Sequence, residues 1–158
     1  MNITLICVGK LKEKYLKDAL QEYAKRLSRF AKLEIIELPD RKIPDNASSA
    51  QETEVLQKEG EDILSKIKPN SYVISLCIEG KELSSPEIAE KIGEISMISG
   101  HITLIIGGSL GLSEEVKSAS KLRLSFGKIT LPHQLMRIVL LEQIYRAFKI
   151  NNNEAYHK

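Results

Sequence analysis

The chain has 158 residues, of which 42% are hydrophobic and 28% are charged, and it contains only two cysteines. This length and composition are typical of one globular domain, and they exclude a disordered chain and a disulfide scaffold. No apolar run is long enough to span a membrane, and the first residues lack the pattern of a signal peptide. We therefore expect a single domain over residues 1–158, located in the cytoplasm and without a membrane partner.

The net charge of +2 conceals a separation of charge along the chain. Residues 10–32 carry a balance of +5 and residues 117–158 a balance of +6, whereas residues 33–62 carry −6. If the two basic segments meet in space, they form a positive face suited to a polyanion such as RNA. The simpler interpretation is that they are solvated helix surfaces. Both interpretations stay open at this point.

Hydrophobic periodicity predicts short strands that alternate with helices. In the first half of the chain these are a strand at 3–8, a helix with apolar residues between 16 and 30, a strand at 33–38, and a helix from Ser49 to about Ile67 with a capping box at 49–52. In the second half they are a strand at 72–78, a helix from Ser85, a strand at 102–106, a short helix from Ser113, a strand at 122–126 and a helix from Pro132 to about Phe148. The alternation predicts an α/β fold with a largely parallel sheet and helices on both faces.

Ligands of open α/β sheets bind beyond the carboxyl ends of the strands, so the loops that follow the strands are the candidate sites. The segments 76–81, 106–109 and 125–133 are three such loops. None has the spacing of a dinucleotide fingerprint or a P-loop. The loop after the first strand also lacks the acids of a receiver domain, the hydroxyls of a flavodoxin and the glycines of the commonest methyltransferase fold. Loops of this kind suit a ligand held by main-chain hydrogen bonds and apolar contacts, such as adenine joined to a sulfonium.

Three stretches carry a resemblance to a known family: IGGSLG at 106–111, TLPHQLMRIVLLEQIYRAF at 130–148 and AYHK at 155–158. Together they resemble the small SPOUT methyltransferases, and the resemblance extends over the whole chain. It implies an α/β-knot fold with a C-terminal trefoil knot, a homodimer, and S-adenosyl-L-methionine as methyl donor. It also implies methylation of N3 of a pseudouridine in the 23S ribosomal RNA of the ribosome.

The resemblance also implies roles for individual residues. The donor site would comprise Leu76, Gly107, Gly108, Phe126, Gly127, Lys128, Ile129, Thr130 and Leu131. The catalytic residues would be His133, Arg146, Tyr156 and His157, with the last two reaching from the tail into the partner's site. The family has a serine where this chain has Gly127, so we expect a slightly looser loop there. Methyl transfer needs no metal, and the sequence contains no cluster of metal ligands.

Several of these residues also have simpler interpretations. Arg146 lies four residues after Glu142, a spacing that favours an ion pair within one helix. Arg137 and Lys128 are either solvated charges or RNA contacts, and His101 reads as a surface loop residue. His133 could be a first-turn helix residue with only a local hydrogen bond.

The last helix has more apolar positions than one buried stripe requires, which favours burial against a second subunit. The alternative to an enzyme is a non-catalytic RNA- or ribosome-binding module on a SPOUT-like fold. Its motivation is the charge separation, together with the absence of an unambiguous catalytic base.

Overall fold

The computed structural model describes residues 1–158 as five strands and five helices in alternation. The strands are β1 (Asn2–Val8), β2 (Lys32–Leu38), β3 (Tyr72–Glu82), β4 (His101–Ile106) and β5 (Leu122–Ser125). The helices are α1 (Lys14–Leu27), α2 (Ser49–Lys66), α3 (Ser85–Ile98), α4 (Glu114–Ala119) and α5 (His133–Asn151). The predicted α/β class is confirmed, while the trefoil knot implied by the resemblance stays a prediction.

The five strands form one sheet in the order β2-β1-β4-β3-β5, and every neighbouring pair is parallel. The register pairs Cys7 of β1 with Glu37 of β2 and with Ile106 of β4, so these three strands end at the same level. The loops that leave them therefore meet at one edge. This is where parallel sheets usually bind their ligands.

Successive side chains of each strand point to opposite faces of the sheet, so the strands contribute to two apolar layers. Ile3, Leu5 and Cys7 of β1 belong to the larger layer, where α1, α3 and α5 cover the sheet. Ile6 and Val8 belong to the smaller layer, where α2 and α4 cover the other face. The predicted helices on both faces are confirmed. Full burial of each such aliphatic side chain contributes about 1.5–3 kcal/mol.

Two helices begin with capping boxes, and the box of α2 lies one residue earlier than the sequence suggested, whereas α3 starts at Ser85 as predicted. Ser48 accepts from the Gln51 backbone N–H, and the Gln51 side chain accepts from the Ser48 N–H at 2.8 Å. The predicted box at 49–52 is wrong because Ser48 is extended whereas Ser49 is already helical. Ser84 and Glu87 form the same arrangement at the start of α3.

Strand β3 continues to Glu82, four residues beyond the predicted end at Ile78. A register shift between Leu76 and Lys81 interrupts its pairing with β5, which breaks the alternation that periodicity detects. Gly80 permits the close approach, since a Cβ there would lie 2.7 Å from the Arg123 carbonyl oxygen. Residues 77–80 therefore lie between the two stretches of β3 that are in register with β5.

His101 is not a surface loop residue, because β4 begins one residue earlier than expected. Its Nε2 lies 2.8 Å from Oγ1 of Thr4, and the side chain is half-buried. This burial lowers the pKa of His101.

The two basic segments meet, because α1 packs against α5. The rings of Phe30 and Phe148 stack with centroids 5.5 Å apart, and Arg29 pairs with Glu154 at 3.0 Å. The two basic segments are therefore adjacent, and Glu154 pairs with both Arg29 and Lys149 where they meet. None of the helices combines the length and the apolarity needed to cross a bilayer.

Candidate functional site

A cavity of about 670 Å³ lies at the carboxyl edge of the sheet. Its size is within the range of sites for small molecules. The loops after β3, β4 and β5 form the wall together with the first turn of α5. The lining residues are 76–79, 106–112, 124–127 and 129–133, with Lys117 and Met136.

Most of the predicted donor-binding residues line this cavity. They are Leu76, Gly107, Gly108, Phe126, Gly127, Ile129, Thr130 and Leu131. The exposed Lys128 is not part of the wall. Segments that are distant in sequence thus come together because three neighbouring elements of one sheet end at this edge.

In the turn after β4, the backbone of Gly107 lies close to that of Gly111, and both residues line the cavity. A Cβ at Gly107 would lie 2.4 Å from the carbonyl oxygen of Gly111, so no side chain fits there. The Gly111 N–H donates to the Gly108 carbonyl at 3.0 Å, and Gly111 has a φ of +80°. Glycines in this turn expose main chain to the cavity, which suits recognition of a flat apolar ligand through backbone groups.

Gly127 has a φ of +101°, a conformation that strains any residue with a Cβ. The loop is nevertheless held at Ser125, whose Oγ donates to the Ile78 carbonyl at 2.9 Å and accepts from the Gly127 N–H at 3.1 Å. These two hydrogen bonds connect the loop to β3, while the looseness expected from glycine stays a prediction. The backbone conformation itself favours glycine here.

Two charged side chains in the wall, Glu79 and Lys117, were missed by sequence reasoning. They form an ion pair between β3 and α4. The Glu79 carboxylate raises the pKa of Lys117, and the Lys117 ammonium lowers the pKa of Glu79. Glu79 stands in the predicted loop 76–81, so its position in the sequence could have identified it as a candidate site residue. No sequence feature marked Lys117 as a site residue, because its place in the wall depends on how α4 packs.

His133 lies in the wall, at the first residue of α5. Its Nε2 would be 3.6 Å from a Cβ at Gly9, so the ring also faces the loop after β1. Of the four predicted catalytic residues, it is the one that lines the cavity of its own chain.

Arg137, one turn further along α5, is neither a solvated charge nor an RNA contact. The residue is fully buried. Its guanidinium donates to the Gly9 carbonyl at 2.8 Å, to the Val8 carbonyl at 3.2 Å and to the Glu37 carboxylate at 2.8 Å. Both expectations are wrong because this face of the helix lies over the carboxyl ends of β1 and β2.

Arg146, Tyr156 and His157 form one cluster on the surface of α5, defined here as the tail cluster. Arg146 pairs with Glu142 at 2.7 Å, as the spacing predicted, and its guanidinium lies 4.6 Å from the centre of the Tyr156 ring. The Tyr156 hydroxyl donates to Glu142 at 2.9 Å, and Nδ1 of His157 lies 3.3 Å from Nη1 of Arg146. None of these residues lines the cavity of the same chain.

Metal ligands do not gather anywhere in the structure, since no three His, Cys, Asp or Glu side chains stand close enough to hold an ion. The arrangement therefore offers an apolar pocket with main-chain groups, one ion pair and one imidazole. It also offers a separate cluster of aromatic and basic groups on α5.

Comparison with solved structures shows the fold. A methylase family protein from Haemophilus influenzae Rd KW20 superposes with a TM-score of 0.52 at 13% identity, over 96% of this chain and 66% of that chain.

Comparison with sequences is more specific. Ribosomal RNA large subunit methyltransferase H of Clostridium novyi is 60% identical, and the protein of the same name from Leuconostoc citreum is 57% identical, each over the full length of both chains. The family model described as "Predicted SPOUT methyltransferase" matches residues 1–157. The chain belongs to the SPOUT methyltransferase family.

Proposed function

We propose that residues 1–158 form a single catalytic domain that methylates N3 of a pseudouridine in the 23S ribosomal RNA of the large subunit. The donor in this proposal is S-adenosyl-L-methionine. The observation that carries the proposal is the cavity of about 670 Å³, whose wall contains most of the residues that the family resemblance assigned to the donor. The names of the full-length relatives support ribosomal RNA as substrate. A ribosomal substrate implies that the protein works in the cytoplasm.

The wall of the cavity fits this donor. Apolar side chains such as Leu76, Phe126 and Ile129 offer flat contacts for an adenine ring, and the turn at Gly107 brings main-chain groups within reach of its edge. The wall has few charged side chains, which would otherwise hold water in the site. A sulfonium bound there would therefore have few water molecules around it. S-adenosyl-L-methionine supplies a methyl group on a positively charged sulfur.

Transfer of this methyl is an in-line displacement, in which the bond between sulfur and carbon breaks as the bond between N3 and carbon forms. The protein contributes mainly by holding the two reactants at attack distance. The acceptor nitrogen must also lose its proton. His133 in the cavity wall is one group that could accept it, and general-base assistance of this kind contributes about 10²–10⁴-fold.

The tail cluster lies outside the cavity of its own chain, which supports a site completed by a second subunit. In a homodimer, the partner's copy of this cluster would face the cavity. Tyr156 offers a ring on which the base can stack. His157 and Arg146 offer groups that contact the nucleotide or help to remove its proton.

The face formed by α1 and α5 is suited to the RNA backbone. Arg26 and Arg29 of the first basic segment lie beside aromatic rings there, and Lys149 joins them from α5. Arg26 is paired with Glu22 and the other two with Glu154, so phosphates would have to replace these carboxylates. Contacts with phosphates would make RNA binding strongly dependent on salt. The modest net charge of +2 favours a ribosomal particle over bare RNA as the true substrate.

The test is transfer of a labelled methyl group from S-adenosyl-L-methionine to ribosomes from cells that lack the activity. We expect one labelled nucleoside, N3-methylpseudouridine, after digestion of the large-subunit RNA. Lack of incorporation into any ribosomal particle would overturn the proposal. Free RNA, separate subunits and whole ribosomes should be offered in parallel.

A non-catalytic module that binds RNA or ribosomes is the second candidate. The meeting of the basic segments on α1 and α5 favours it as much as it favours the enzyme. Calorimetry separates the two, since the module would bind RNA in a salt-sensitive way and would give no heat with the donor.

A further inference from the structure

Glu79 and Lys117 are the two side chains of opposite charge in the cavity wall. Glu79 comes from the bulged part of β3 and Lys117 from the short helix α4, which are 38 positions apart in sequence. The Lys117 side chain is 16% exposed, and that of Glu79 is 55% exposed. The pair therefore lies partly buried at the edge of a mainly apolar pocket.

The proposed donor carries a matching pair of charges at one end. Its amino acid group has an ammonium and a carboxylate on the same carbon atom, whereas its adenine and ribose carry no charge. We propose that Glu79 and Lys117 bind this end of the donor, with Glu79 accepting from the ammonium and Lys117 donating to the carboxylate. This inference rests on the proposed function and assigns two residues that the family resemblance did not provide.

Both side chains have capacity for these contacts while they remain paired. A lysine ammonium has three N–H donors, and Lys117 directs one to Glu79 and has Glu114 at 3.5 Å. A carboxylate accepts several hydrogen bonds, so Glu79 can hold a second cation. The two pairs of charges would then alternate in sign around a small ring, which is the favourable electrostatic arrangement.

The apolar part of the wall supports one orientation of the ligand. Leu76, Leu124 and Phe126 line the pocket as uncharged side chains and suit the adenine. A zwitterion in the same place would lose its hydration without compensation. The charged end is therefore directed to Glu79 and Lys117.

The experiment is calorimetry on the full-length protein with three ligands that differ only around this end. S-adenosylhomocysteine has both charges, decarboxylated S-adenosylhomocysteine lacks the carboxylate, and methylthioadenosine lacks the whole amino acid group, while the sulfur is a neutral thioether in all three. The variants are Lys117→Met and Glu79→Gln. The matched control is Lys58→Met, which breaks the exposed pair with Glu54 on α2, outside this cavity.

We expect Lys117→Met to weaken the binding of S-adenosylhomocysteine about tenfold and to leave the binding of decarboxylated S-adenosylhomocysteine nearly unchanged. Glu79→Gln should weaken both of these ligands, because both have the ammonium. Neither variant should change the affinity for methylthioadenosine. Lys117→Arg should restore most of the affinity for S-adenosylhomocysteine, and Lys58→Met should behave as the wild type.

Two results would overturn the inference. One is unchanged binding of all ligands, and the other is equal weakening of all three, which would mean that the pair only supports the wall. Thermal unfolding of each variant shows whether it is folded. If Lys117→Met is unfolded, the binding of S-adenosylhomocysteine to Lys117→Arg is compared with that of the wild type instead. If the wild type binds none of the three ligands, it is the proposed function that fails.

Discussion

Arg137 lies between the start of α5 and the carboxyl ends of β1 and β2, with no exposed surface. Its donors satisfy the carbonyls of Val8 and Gly9, which end the first strand. The same helical turn carries His133 into the cavity wall. One buried side chain thus connects the sheet to the segment that closes the site.

We predict that Arg137→Met destabilises the protein by about 3 kcal/mol, because it removes the partner of Glu37 and leaves two carbonyls without a donor. Urea unfolding followed by circular dichroism measures the change. Arg26→Met, which breaks the exposed pair with Glu22, is the control and should leave the midpoint nearly unchanged. Similar midpoints for the two variants would contradict the role assigned to Arg137.

Glu59 is a second buried ionisable residue, at 4% exposure, and its Oε2 has no hydrogen-bond partner. It lies behind the glycine turn, 3.5 Å from the position of a Cβ at Gly108. Burial raises the pKa of Glu59 above its ordinary value of 4.5, although the backbone N–H of Arg41 opposes this shift. The folded state therefore favours the protonated form.

A raised carboxyl pKa stabilises the fold at low pH, and this stabilisation is lost as the pH rises through the folded-state pKa. We predict that Glu59→Gln increases the free energy of unfolding at pH 7 by about 1 kcal/mol, since it removes a buried charge with an unpaired oxygen. The gain should disappear below pH 4.5. Urea midpoints at pH 7 and pH 4 test the difference, and a gain that is equal at both would refute it.

At the scale of elements, the turn between β4 and α4 forms the site through its backbone. Its shape depends on the contact between Gly107 and Gly111, where a side chain has no room. Ser113 then caps α4 by accepting from the Val116 N–H, so the turn passes directly into the helix that carries Lys117.

We predict that Gly107→Ala lowers donor affinity by more than about tenfold and destabilises the fold by about 1–3 kcal/mol, because the added methyl forces the turn open. Calorimetry with S-adenosylhomocysteine measures the first effect. Gly100→Ala is the matched control, since nothing lies within 4 Å of a Cβ there. Equal donor affinity in both variants would show that the turn tolerates a side chain.

At the scale of the whole molecule, the tail cluster and the cavity occupy different places on one chain. A site built from both needs two copies. The apolar surface on α5 is consistent with such a partner, since Leu135 is 37% exposed and Ile138 and Val139 are only partly covered.

We predict that deletion of residues 156–158 abolishes methyl transfer and leaves donor binding nearly intact. At a donor concentration too low to fill the Gly107→Ala site, mixing the deletion variant with Gly107→Ala should restore about a quarter of the wild-type activity, because half of the randomly formed dimers contain one complete site. Labelled methyl incorporation into ribosomes measures the recovery. Absence of recovery, despite exchange of subunits, would argue against a site shared between two chains.

The α/β class and the three loops of the site could be predicted because they depend on local signals. Apolar runs identified the strands, and Gly107 and Gly108 marked a turn after one of them. Errors arose where a boundary depended on one residue, as at Ser48 and His101. The bulge in β3 was missed because it exists only through pairing with β5.

The sequence by itself determined the succession of strands and helices, the family and the glycine turn, since periodicity, motifs and backbone freedom belong to neighbouring residues. Only the tertiary structure decided that Arg137 is an internal anchor, that Glu79 meets Lys117 in the cavity wall, and that the tail cluster stands apart from it. The physical reason is distance along the chain. A charge is buried, paired or free according to which distant segment packs against it, and spacing within one segment carries no information about that.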